Sequence, residues 1–99
     1  IRNGSPTYGK SICITLNADI PQVFYVPEGF AHGYQTLSTN TLVFYKVTDY
    51  YAPDCEGGLL WSDTETAIDW PTSSDVVVSG RDFTWPGLAA LQSPFSYKS

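Results

Sequence analysis

His32 is the only histidine in the chain, and it stands in the run Pro-Glu-Gly-Phe-Ala-His-Gly with Gly29 and Gly33 on either side. Imidazole is the side chain best matched to proton transfer at neutral pH, and it also binds phosphate or sugar oxygens. Two readings therefore stay open for His32: a group that meets a substrate, or a loop histidine bonded to backbone. Downstream, Tyr45 and Lys46 open the run Tyr-Lys-Val-Thr-Asp-Tyr-Tyr-Ala-Pro. A phenol hydroxyl delivers a proton when it faces a substrate, and otherwise sits as a hydrogen-bonded core group. Tyr50, Tyr51 and Trp61 are flat enough to stack on a nucleobase, although aromatics in a small β-domain more often pack a core. Asp82 follows Ser79 by three residues, the spacing of a carboxylate in the first turn of a helix capped by that serine. One histidine cannot assemble the imidazole cluster of a metal-dependent site, so no metal and no cofactor are expected.

The elements that hold these groups read as strands. Residues 10–16 alternate, with Ile12, Ile14 and Leu16 on one side and Ser11, Cys13 and Thr15 on the other. That is the period of a half-buried strand. Asn17, Ala18 and Asp19 make a turn, and residues 22–26 form a second strand that ends at Pro27. Gly29 and Gly33 suit a bend in which the backbone takes positive φ or lets a neighbour come close. Residues 34–37 are extended, Ser38 to Asn40 turn the chain, and residues 41–48 return as its most β-prone run. Alternation puts Tyr45 and Lys46 on opposite faces, which makes Lys46 a surface or subunit-contact charge.

Residues 49–58 are loop, 59–61 a short strand, and 62–66 a turn in which nothing stands out as chemistry. Asp69 ties a turn before Trp70 and Pro71, and Ser73 and Ser74 break the chain ahead of the valine run at 76–78. A short helix is expected after Ser79, ended by Pro86 and Gly87, with a further helical turn and a frayed tail beyond Leu88. Short strands at close spacing with almost no helical periodicity predict an all-β antiparallel sandwich or barrel.

Ninety-nine residues make one small domain, and 42% hydrophobic residues with a mean hydropathy of -0.13 are a globular balance. The formal charge of -5 has no basic patch within it, so no nucleic-acid backbone is an expected partner. Apolar runs fall far short of a membrane span, and a soluble cytoplasmic protein is expected. Cys13 and Cys55 either meet in one disulfide or remain a buried thiol and a loop thiol. With no methionine present, Ile1 is not expected to be the translated start.

From Pro-Glu-Gly-Phe-Ala-His-Gly and Tyr-Lys-x-Thr-Asp-Tyr-Tyr-Ala-Pro onward, the chain resembles the dTDP-4-dehydrorhamnose 3,5-epimerase family. The likeness runs on through Gly58-Leu59-Leu60-Trp61-Ser62-Asp63, Ile68-Asp69-Trp70-Pro71 and Ser79-Gly80-Arg81-Asp82, covering most of the sequence from Ser5 to about Trp85. The resemblance implies a jelly-roll of the cupin type, a homodimer or higher oligomer, and metal-free inversion at C3 and C5 of a dTDP-4-keto-6-deoxy sugar. It matches Tyr45 to the catalytic acid, Asp82 to the aspartate that orients the base, His32 to a second active-site histidine and Tyr51 to an aromatic lining the nucleotide site. The family's base lies in an Arg-Gly-Leu-His motif that these residues do not contain. The chain thus corresponds to the C-terminal half of a family member, a truncated jelly-roll expected to turn over weakly or not at all. The alternative expectation is a non-catalytic half-domain that binds a nucleotide sugar or a partner chain as an oligomer.

Overall fold

Turns form where the sequence places them, while the runs between them do not pair. In the computed structural model, which describes residues 1–72 and 75–98, each turn is closed by bonds that reach only a few residues. The Asn17 carbonyl accepts the Ile20 N–H at 3.1 Å, and its side-chain Oδ1 accepts the Asp19 N–H at 3.0 Å. That is an Asx turn. Asn40 takes φ 58°, which asparagine tolerates, beside hydroxyl bonds between Ser38 and Thr41. The Pro-Glu-Gly bend closes from the Phe30 N–H to the Pro27 carbonyl at 3.4 Å.

Among the described residues there is no β-strand. The runs 10–16, 22–26 and 41–48 carry no ladder hydrogen bonds among the described residues, and a parallel bridge joins Asn3 to Ser96. Among the described residues regular structure is limited to three 3₁₀ helices, Pro53–Cys55, Gly80–Phe83 and Leu88–Ala90; the second and third stand where a short helix and a helical turn were expected, and the first lies in a segment expected to be loop. The first begins on a proline, which has no N–H to lose. Ser79 does occupy the N-cap position of the second, but its side chain makes no cap bond; its carbonyl instead accepts the Asp82 N–H at 2.9 Å. The break expected at Ser73 and Ser74 lies outside the described residues, as does the last residue of the tail, Ser99.

Packing is concentrated in the second half of the chain. Trp61 meets Trp70 edge to face at 6.4 Å and Phe83 at 6.1 Å, and the Trp70 indole donates to the Trp61 carbonyl at 2.8 Å. The Leu60 N–H reaches the Pro86 carbonyl at 2.9 Å, closing the chain around this cluster. Asp63 fastens it further, as one carboxylate oxygen accepts from the Leu88 N–H at 2.9 Å and the Thr66 hydroxyl at 3.0 Å. No large hydrophobic side chain is fully buried among the described residues, but Trp61, Trp70, Trp85 and Leu88 are half-buried, whereas in the first half Val23 is 95% and Leu42 93% exposed. The total accessible surface is 8776 Å². A compact chain of this mass exposes about 5,600 Å², so the excess is large. Cys13 and Cys55 are both free and exposed, neither bridged nor a buried thiol.

Candidate functional site

His32 sits on a loop that the chain termini grip. Gly29, just upstream, takes φ 88°, and an added Cβ would lie 2.7 Å from the Arg2 side chain, so glycine is required on both counts. The Arg2 guanidinium lies over Phe30 at 4.8 Å and over Tyr97 at 5.2 Å, linking the loop to the C-terminal segment. Asn3 completes the grip, accepting from Tyr97 N–H at 2.9 Å and donating to Phe95 and Ser93 carbonyls. The imidazole of His32 is exposed beside this clasp. Gly33, by contrast, takes no positive φ, and its near neighbour is the rim of Trp70.

Tyr45 and Tyr51 are 76% and 79% exposed, at the two ends of the run whose Val47 to Tyr50 line a shallow hollow of about 290 Å³. Neither tyrosine packs into a core. Asp82 lies in the 3₁₀ helix Gly80–Phe83, and its carboxylate accepts the Trp85 indole N–H at 3.3 Å. No hydrogen bond, ion pair or ring contact among the described residues joins any two of His32, Tyr45, Tyr51 and Asp82. The structure places them on three separate segments, and none of the four side chains touches another.

One connection crosses between those segments, and sequence reasoning missed it. Glu56, just beyond the Tyr51 loop, pairs with Arg81, the neighbour of Asp82, and the Arg81 guanidinium lies over the Trp85 ring at 5.1 Å. The loop after Tyr51 is thereby tied to the turn that carries Asp82. Trp85 itself presses against Gly58, where any added Cβ would collide with the indole. Gly58 and the Arg81-Asp82 pair were each visible in a motif, but their contact with one another through Trp85 and Glu56 joins parts of the chain too far apart for spacing to reveal. Among the described residues no three His, Cys, Asp or Glu side chains gather as a metal ion would need, and no helix is long and apolar enough to cross a membrane.

The structure biases the protonation of Asp63. The Leu88 N–H donated to it, with smaller help from Thr66 and against some desolvation, holds its pKa below the ordinary 3.8. Its partners are all backbone and threonine groups, so its work is structural.

Comparison with known proteins identifies relatives of the whole chain. Residues 1–90 match the family model described as dTDP-4-dehydrorhamnose 3,5-epimerase. A protein of that name from Sinorhizobium fredii is 40% identical over 97 residues, covering 98% of this chain and 50% of its own length. Its namesakes from Salmonella typhimurium and Escherichia coli are each 42% identical, over 88 and 95 residues, covering 89% and 93% of this chain. The chain spans about half the length of these relatives, 48% of the Salmonella protein and 51% of the E. coli one. No solved structure matches it.

Proposed function

The chain belongs to the dTDP-4-dehydrorhamnose 3,5-epimerase family, and from that premise we propose that it serves the epimerisation of a dTDP-4-keto-6-deoxy sugar at C3 and C5. The observation that carries this reading is the match over residues 1–90, a span that includes His32, Tyr45, Tyr51 and Asp82. A proton on a carbon beside a ketone is acidic because the electron pair left behind spreads onto the carbonyl oxygen. Inversion then needs a base on one face of the carbon, an acid on the other, and a group to stabilise the enolate oxygen.

In this reading Tyr45 returns the proton, Asp82 orients the base, His32 faces the sugar or phosphate, and Tyr51 lies against the thymine. The exposure of both tyrosine rings supports the reading, since each is open to a ligand. No Arg-Gly-Leu-His motif is among these 99 residues, so the acid side of the site is here and the base side is not. The reaction as proposed draws on no metal or cofactor. We place the work in the cytoplasm.

We further propose that the alternating runs 10–16, 22–26 and 41–48 are jelly-roll strands that pair when neighbouring strands are supplied, and that the assembled protein is a homodimer or larger. The uncovered apolar area of those runs supports this, because unpaired strand edges and bare apolar faces associate.

The test is proton exchange in deuterated water with the dTDP-4-keto-6-deoxy sugar, followed by NMR. The 99-residue chain is expected to broaden the thymine signals while C3 and C5 exchange slowly or not at all. Joined to the half of the Salmonella relative that it does not match, it is expected to exchange both positions. Sharp thymine signals together with no exchange in the joined protein would remove the basis for this function.

A further inference from the structure

We propose that Trp85 is a positioning residue that fixes the direction of the Asp82 carboxylate. The proposal rests on the reading above, in which Asp82 orients the catalytic base. An aspartate on an exposed turn rotates freely about two bonds, and a carboxylate that must steer an imidazole needs one orientation held. The turn itself offers a means of holding it. Asp82 lies within the 3₁₀ helix Gly80–Phe83, and Trp85 follows directly after its C-cap, Thr84. The chain there brings the Trp85 indole N–H to Asp82 Oδ1 at 3.3 Å.

The ring that carries this donor is itself held. Gly58 lies so close that no Cβ could stand there, and the Arg81 guanidinium covers the ring at 5.1 Å while paired with Glu56. Trp85 is half-buried as a result, whereas Asp82 is exposed. An indole has a single donor and no acceptor, so it engages one carboxylate oxygen and leaves Oδ2 free for an imidazole N–H. The rigid partner thus takes one oxygen and presents the other. Gly58, Glu56 and Arg81 act on the carboxylate only through the ring.

The test reads the three indole N–H signals of the full chain by NMR, with Trp61 and Trp70 as internal controls. Asp82→Asn is expected to shift the Trp85 indole signal and leave the Trp70 signal, bonded to a carbonyl, in place. Trp85→Phe, which keeps a ring against Gly58, is expected to shift the Asp82 carboxyl carbon signal without lowering the melting temperature appreciably. If the Trp85 indole stays put in Asp82→Asn, or all three indoles move together, the positioning role is wrong. In the joined protein, Trp85→Phe is expected to lower kcat about tenfold with KM unchanged. A kcat equal to that of the unsubstituted joined protein also overturns the proposal. A joined protein with no exchange at all would instead indict the function proposed for Asp82, while the indole shift would still decide whether Trp85 holds its carboxylate.

Discussion

The Asp63 carboxylate accepts the Leu88 backbone N–H at 2.9 Å, joining the turn after Trp61 to the last 3₁₀ helix across 25 residues of chain. Because that bond favours the charged form, it holds the Asp63 pKa below the ordinary 3.8. A carboxyl whose pKa is lowered on folding adds stability above its unfolded value and loses it as pH falls through the folded one. The expected outcome is that melting temperature falls below about pH 4 in the native chain, and that Asp63→Asn removes part of this fall. Hydrogen exchange at the Leu88 amide should quicken in the variant. A pH profile identical in the two proteins would mean that the bond contributes nothing in solution.

Gly29→Ala should loosen the His32 loop. At φ 88° a Cβ is strained, and here it would also lie 2.7 Å from the Arg2 side chain. The loss is expected to be on the order of 1 kcal/mol from the backbone alone, read by urea denaturation. Arg2 must move as well, so the Phe30 and Tyr97 ring signals, both now under its guanidinium, are expected to shift together. Unchanged ring signals would show that Arg2 does not bridge the loop and the tail.

The turns were legible in the sequence because their chemistry is local. Asn17, Gly29 and Asn40 each do what their residue type favours within three or four positions. Alternation in residues 10–16 and 41–48 names a face for each side chain but names no partner strand, and a ladder needs the partner. Exposed apolar area was to be expected of a half-domain whose partner strands are missing. Trp61 read as core more readily than as a ligand platform, and its edge-to-face contacts with Trp70 and Phe83 agree. Asp82 was expected to cap a helix that Ser79 begins, whereas the backbone closes the turn and the carboxylate goes to Trp85. Glu56 drew no attention, and Asp63 stood only as the last residue of a family motif with no role assigned to it. Their partners lie 25 residues away in each case, beyond anything a local pattern encodes.

Trp70→Phe should separate ring packing from hydrogen bonding in the aromatic cluster. Phenylalanine keeps an edge for Trp61 but loses the indole donor, 2.8 Å from the Trp61 carbonyl. The hydrogen bond is expected to account for about 1 kcal/mol, and the ring pair for a similar amount that only Trp70→Ala removes. Denaturant midpoints of the two variants check this. A Trp70→Phe protein as stable as the native one would assign the cluster to packing alone.

Tyr45→Phe and His32→Asn divide the proposed chemistry between acid and base. Tyr45 is 76% exposed with no partner for its hydroxyl among the described residues, so its removal should leave the structure intact. In the joined protein, Tyr45→Phe is expected to lower the rate of epimer formation by about 10²-fold, the span of a single general acid, while thymine broadening persists. Deuterium entry at C3 or C5 need not fall as far, because a base can still remove the proton that Tyr45 no longer replaces. His32→Asn asks the complementary question of the 99-residue chain alone. His32 is its only imidazole, so any slow exchange that the chain supports by itself should vanish in this variant. If exchange survives His32→Asn, a carboxylate or phenolate in the chain is the base, and His32 is left with the sugar or the phosphate.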